Sequence, residues 1–259
     1  MNPTLDVLLS RKSVRAFEKR EIEEEVRAKI LEATLRAPTA GNMMFYSILE
    51  VTDQSIKDKL VKTCDNQPFI ARAPMVWIFL ADYQRWYDYY IYSGVESLCA
   101  EREIEMRTPE EGDLFLACCD ALIAAQNAVI AAESLGLGSC YIGDIMENYE
   151  THKEMFDLPQ YVFPIAMLVF GYPTQQQKDR EKTTRFDKKY LLFENKYNHL
   201  SDREFAKMFA EREKNMPQGK SMGDVSHFGQ FMFLRKFSSE FSVEMNRSVR
   251  EMVKAWVKG

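Results

Sequence analysis

The chain is poor in the patterns that most often declare a function. Its five cysteines, Cys64, Cys99, Cys118, Cys119 and Cys140, are odd in number and form no C-x-x-C pair. That usage argues against a disulfide framework or a zinc site and for thiols in a reducing compartment. The three histidines, His152, His199 and His227, are scattered, and H-E-x-x-H does not occur, so no metal is expected. No uninterrupted run of about eighteen apolar residues exists, and no membrane partner is expected. The opening Met1-Asn2-Pro3-Thr4 carries no basic region followed by an apolar one, which makes a cytoplasmic location the expectation. A formal net charge of −5 leaves no basic face able to displace counterions, so no nucleic-acid partner is expected either. The signatures G-x-x-x-x-G-K-[ST] and G-x-S-x-G are absent, which removes P-loop and α/β-hydrolase chemistry by motif. Gly136-Leu137-Gly138 meets its next glycine only at Gly143. A helix precedes this run and a strand follows, whereas a Rossmann phosphate loop needs the opposite order.

What is present is an ordinary globular composition, 46% hydrophobic and 28% charged over 259 residues, enough for one large domain or two small ones. Leu5, Leu8 and Leu9 predict a short helix over 4–9. Ile22, Val26, Ile30, Ala33 and Ala37 recur at helical spacing and predict a second over 23–37, ended by Pro38. A strand is expected over 46–51, then a helix to Thr63 capped by Asp53. The apolar run over 75–81, between Pro74 and Asp82, predicts a strand buried on both faces. The aromatic and charged stretch 83–111 reads as helical. The alanine-rich stretch 113–135 predicts a helix apolar nearly all round, closed by Gly136. A strand over 139–142, a helix near 148–156 and a strand over 162–170 follow. Ser201-Asp202-Arg203-Glu204 is a capping box opening a helix toward Met216, broken by Pro217, Gly219 and Gly223. A last amphipathic helix carries Phe241, Met245, Met252, Val253 and Trp256. Helices interspersed with few short strands indicate an α+β fold.

Four segments carry chemistry. In Arg11-Lys12-Ser13-Val14-Arg15-Ala16-Phe17 three cations and a hydroxyl lie close together, and arginine forks pair bidentately with phosphate. Read alone, a solvated charge run explains this segment equally well. Ala37-Pro38-Thr39-Ala40-Gly41-Asn42 is a small-residue loop suited to close approach by a ligand, although alone an ordinary turn accounts for it better. Gly138-Ser139-Cys140-Tyr141-Ile142-Gly143-Asp144 offers backbone N–H groups, and Gly171-Tyr172-Pro173 is followed by Arg185-Phe186.

Taken in order, R-x-S-x-R-x-F, A-P-T-A-G-N, G-L-G-x-x-Y-I-G and F-G-Y-P with a later R-F resemble the FMN-dependent nitroreductase family across residues 5–190. The resemblance implies an α+β sandwich, a central mixed sheet flanked by helices, that binds FMN non-covalently at a homodimer interface. By the same resemblance Arg11, Ser13 and Arg15 hold the phosphate and ribityl end, Lys12 adds charge or backbone contacts, and Arg185 completes the phosphate site. Pro38, Thr39, Ala40 and Asn42 come from the second subunit, and Gln67 reaches the polar edge of the ring. Tyr141, Ile142, Gly143 and Asp144 lie against the ring with backbone donors. Two departures stand out. Met43, Met44, Phe45 and Tyr46 occupy positions where the family often has glutamine and an aromatic. Thr183 stands where a basic residue is frequent, with Lys182 or Arg180 as substitutes.

The implied activity is reduction of nitroaromatics, quinones or related acceptors by NAD(P)H in a ping-pong cycle, in which the flavin does the redox chemistry and no side chain is required as catalytic acid. Alternatives are a non-catalytic FMN store or electron carrier, and a specialised dehalogenase or flavin-fragmenting relative. Residues 1–197 are expected to form the flavin domain and 198–259 a helical extension packing on the dimer.

Overall fold

The structure is a computed structural model that describes residues 2–216 and 225–258. It divides into two compact units, Met1–Glu181 with Glu244–Gly259, and Lys182–Val243. The boundary expected after Tyr197 therefore falls inside the second unit, and the end of the chain returns to the first. The breaks expected at Pro217, Gly219 and Gly223 lie outside the described residues.

In the first unit, α1 (Pro3–Ser10), α2 (Glu24–Leu35), β1 (Tyr46–Glu50), α3 (Gln54–Thr63), α4 (Phe69–Arg72) and β2 (Met75–Asp82) are followed by α5 (Gln84–Tyr92), α6 (Val95–Glu101) and α7 (Glu111–Ser134). Then come β3 (Gly138–Ile142), α8 (Tyr149–Met155), β4 (Val162–Gly171), α9 (Gln175–Asp179) and, from Glu244 onward, α12 (Glu240–Val257). The strands form one sheet in the order β1-β2-β4-β3. All three ladders are antiparallel, and among the described residues parallel pairing is confined to a single bridge between Ser13 and Ser139. The mixed sheet expected from the resemblance is corrected accordingly: every neighbouring pair runs antiparallel, while the chain passes from β2 to β3 through α5–α7 in a crossover that leaves β4 between them.

β2 is buried at all eight positions, as its uninterrupted apolar run predicts. Its alternation sends Met75, Trp77 and Phe79 to one face, packed with Ala121, Ala124, Ala128 and Val129 of α7 and Ile30 of α2. Val76, Ile78 and Leu80 face the other side, against Leu60 of α3, Phe69 and Ile70. The period of two thus builds a three-layer core. Asp53 caps α3, accepting from the Ser55 and Ile56 amides at 2.7 and 3.1 Å. Gly136, at φ +82°, follows the last residues of α7 in the left-handed conformation that closes a helix.

By length and composition α7 is apolar enough to cross a bilayer, with 44% of its most apolar stretch buried inside the protein, although Asp120, Gln126 and Asn127 interrupt its apolar run. Its inner face is spoken for by the sheet and α2. Its outer face shows Phe115, Leu116, Leu122 and Ile123, and α1, which buries none of its residues, shows Leu5, Leu8 and Leu9. In α12, Met252 and Trp256 are buried beside Tyr161 and Phe163, and the Trp256 indole donates to the Glu110 carbonyl at 3.1 Å.

The second unit holds α10 (Asp202–Lys214), opened by the Ser201–Glu204 capping box, and α11 (Phe228–Met232). Phe186 packs on Phe209 at 5.0 Å between ring centroids, and the Arg212 guanidinium lies 3.9 Å above Phe186.

Candidate functional site

The basic segment after α1 leans along β3. Ser13 bridges Ser139, and the Val14 amide donates to the Ser139 carbonyl at 2.8 Å. This approach is close because residue 138 is glycine: a Cβ there would stand 2.8 Å from the Cβ of Val14. Burial pushes the Cys140 thiol up, while Arg15, Ser13 and Arg11 beside it favour the thiolate, so both arginines border β3. Arg15 also lies over the Phe69 ring, 5.9 Å from its centroid, and its backbone N–H donates to Gln177 Oε1 at 3.2 Å.

Two further cations join them. Lys12 Nζ donates to the carbonyls of Lys178, at 2.7 Å, and Arg180, and the Arg180 guanidinium donates to the Ser13 carbonyl. Arg180, one of the two cations expected to stand in for a basic residue at Thr183, is thereby joined to the basic segment. Facing the group is Glu133, near the end of α7, whose carboxyl burial pushes up to about 7 although Arg11 opposes it.

Phe69 leads to Gln67, whose Nε2 donates to the Cys64 carbonyl at 3.0 Å and to Asp144 Oδ2 at 2.8 Å. Asp144 sits in the 3₁₀ turn Gly143–Met146 that follows β3. Arg11, Lys12, Ser13, Arg15, Tyr141, Ile142, Gly143, Asp144 and Gln67 therefore line one continuous neighbourhood. The Ile142 side chain belongs to the core, leaving only its backbone to face outward. The Tyr141 phenol is pushed up to about 12 by burial, against the pull of Arg11, and meets Gln126 Oε1 at 3.4 Å.

The loop of Pro38, Thr39, Ala40 and Asn42 is held separately, by a residue that sequence reasoning passed over. Asp120, buried within α7, accepts from the Ala40 amide at 3.0 Å and the Phe45 amide at 3.1 Å. Its signal was a lone acid among alanines and other apolar residues. Thr39 Oγ1 accepts from the Met44 amide at 3.3 Å, and Gly41 and Asn42 both take positive φ, 54° and 57°. Among the described residues no hydrogen bond or ion pair joins this loop to the basic segment of the same chain. Arg185 lies in the second unit, where its guanidinium donates to Thr183 Oγ1 at 2.6 Å and to the Thr183 and Thr184 carbonyls.

The donor set suits a phosphorylated, planar, polar-edged molecule such as FMN. Arg11 Nε is buried without a hydrogen-bond partner among the described residues, and a buried donor of this kind normally has an acceptor. The cations, the backbone N–H groups after β3 and the carboxamide of Gln67 follow one another along this neighbourhood.

The sequence profile of the nitroreductase family matches residues 8–172, the stretch that contains this neighbourhood. The chain belongs to the nitroreductase family. An oxygen-insensitive NADPH nitroreductase of Salmonella typhimurium is 28% identical over 207 residues, 80% of either chain. An NADPH-dependent oxidoreductase of Staphylococcus aureus is 29% identical over 196 residues, 76% of this chain and 74% of its own. Among solved structures, NfrA2 of B. megaterium superposes with a TM-score of 0.79 at 26% identity, covering 99% of this chain and 98% of its own. An NADPH:FMN oxidoreductase from Vibrio harveyi complexed with NAD+ shares the fold, with a TM-score of 0.78 at 23% identity over 97% of this chain and 98% of its own.

Proposed function

We propose that this protein is an FMN-dependent oxidoreductase that uses NAD(P)H to reduce nitroaromatics, quinones or related acceptors. The observation that carries the reading is Arg11 Nε, a donor buried without a hydrogen-bond partner among the described residues and set among the cations of a nitroreductase-family chain. When bound, FMN would supply the redox chemistry, taking an electron pair from the nicotinamide and passing it to the acceptor in a ping-pong cycle.

The chain's own residues bind and orient. Arg11 and Arg15 supply charge-assisted hydrogen bonds to phosphate, each contributing roughly 1.5–3 kcal/mol. Lys12 is committed to two carbonyls and Arg180 to the Ser13 carbonyl, so these two shape the loop and add charge at longer range. Gln67 has given both amide hydrogens to Cys64 and Asp144, which leaves its Oε1 to accept from the ring edge. The backbone N–H groups of Gly143 and Asp144, which open the 3₁₀ turn after β3, would donate to the flavin ring. No side chain needs to act as the acid, since solvent supplies protons to an exposed acceptor.

A homodimer belongs to the same proposal. The exposed apolar side chains of α1 and α7 favour burial against a second copy, which would bring its own 38–42 loop, and Arg185 with it or from the same chain, to the flavin. Five free thiols, three of them buried, suit a reducing cytoplasm. Purified protein reconstituted with FMN should turn over NADPH or NADH steadily with a quinone or nitroaromatic. A preparation that is reduced once and then stops would make it an electron carrier, and one that takes up no FMN would remove the reading.

A further inference from the structure

Glu147 immediately follows the 3₁₀ turn that carries Asp144. Its amide donates to the Asp144 carbonyl at 3.0 Å, its side chain is 4% exposed, and Oε1 has no hydrogen-bond partner among the described residues. A buried, unpartnered carboxylate oxygen is costly, and it is costlier beside acids. Asp144 and Asp65 lie on the loops around it and Glu244 comes from α12. Glu244 is itself offset by Arg247, which also binds Glu150. His152 of α8 is not available to neutralise the group. Burial lowers its pKa, and its two ring nitrogens meet the Ile145 carbonyl at 3.0 Å and Thr63 Oγ1 at 2.8 Å. The Cys64 thiol, also pushed up by burial, flanks Asp144 and Glu147. One arrangement satisfies all of these contacts: a protonated Glu147 that donates to Asp144.

We propose that Glu147 is a positioning residue for the flavin, holding a proton whose donation to Asp144 fixes the Asp144–Gln67 hydrogen bond and so the atom that Gln67 presents. This rests on the FMN reading above. Asp144 Oδ2 takes one amide hydrogen of Gln67 and the Cys64 carbonyl takes the other, so the carboxamide is locked with its oxygen outward. A second negative charge at Glu147 would repel Asp144, disturb this lock and let the carboxamide turn. The Glu147 carboxyl is pushed up to about 8, first by burial and then by Asp144. The lock is therefore intact at neutral pH and is released in mildly alkaline solution.

The test uses full-length apo-protein. FMN affinity is measured by quenching of flavin fluorescence from about pH 6 to about pH 9 for wild type, Glu147→Gln and Glu147→Ala, with proton release by the same apo-proteins followed potentiometrically. Wild type should lose affinity by up to about tenfold per pH unit above the Glu147 titration. Glu147→Gln, which donates at every pH, should bind as wild type does at neutral pH and stay flat above it. Glu147→Ala should bind more weakly throughout. The wild-type minus Gln titration should show one proton leaving near the same pH. An alkaline loss that survives in Glu147→Gln, or no such proton, overturns the relay while leaving the flavin reading intact. A protein that holds the proton but binds FMN at no pH overturns both.

Discussion

Replacing Asp120 should loosen the 38–45 loop by a predictable amount. The carboxylate is buried in α7 and receives the Ala40 and Phe45 amides at 3.0 and 3.1 Å. Asp120→Ala orphans both donors, and an unsatisfied buried N–H costs about 1–3 kcal/mol. The Ala40 amide is the less buried of the two, so a loss of roughly 2–5 kcal/mol is expected. Asp120→Asn keeps one acceptor and turns an NH2 toward the second amide, giving a loss of about 1–3 kcal/mol. All three tryptophans, Trp77, Trp86 and Trp256, lie in the first unit, and the Trp86 indole donates to the Met43 carbonyl at 2.6 Å. Urea unfolding followed by tryptophan fluorescence therefore reports this unit and this loop. With a slope of about 2–3 kcal/mol per molar urea, the Ala variant should unfold roughly 1–2 M earlier than wild type. An Ala variant within about 0.5 kcal/mol of wild type, or an Asn variant as unstable as Ala, would refute the account of Asp120 as a double acceptor.

Arg15→Ala should weaken FMN binding roughly 10- to 100-fold, the equivalent of one charge-assisted hydrogen bond; equilibrium titration giving unchanged affinity removes Arg15 from the site. Gly138→Ala should cost about 1–3 kcal/mol by overpacking, because the new Cβ would meet Val14, which is itself bonded to Ser139; wild-type stability in urea would show that the segment yields freely. Burial raises the folded-state pKa of Glu133 to about 7 from its ordinary 4.5. Its stabilising contribution is complete below about pH 4.5 and is lost as the pH rises through about 7. The stability of Glu133→Gln relative to wild type should accordingly grow across that window and level off above it, as measured by urea unfolding at a series of pH values; a constant difference would contradict a buried, protonated Glu133.

Local devices could be read directly from the residues. The apolar run 75–81, the Asp53 cap, the Ser201–Glu204 box and the Gly136 stop each act through neighbours a few positions away. What escaped reading depends on contacts far along the chain. The alternation of β2 does not say which strands flank it, so the order β1-β2-β4-β3 and its antiparallel ladders had to come from the folded structure. The leucines of α1 repeat at helical spacing, yet the helix buries none of them, because periodicity marks an apolar face without naming its cover. At the site, the basic segment and the loops of Gln67 and Asp144 were legible as candidates. Asp120 binds amides 75 and 80 positions away, and Arg180 meets Ser13 from 167 positions away. Such residues show in sequence only as a solitary acid in an apolar helix or one cation among several. Glu147, buried next to three acids, gave no local signal at all.

The central claim is that the segment 11–15, the end of β3 and the Gln67 loop grip one FMN. A crystal structure of the full chain grown with FMN tests it most directly. The account predicts the phosphate within hydrogen-bond distance of the Arg11 and Arg15 guanidiniums, the ring edge against Gln67 Oε1, and a 38–42 loop supplied by a second copy. FMN bound elsewhere, or a phosphate touching neither arginine, would contradict it.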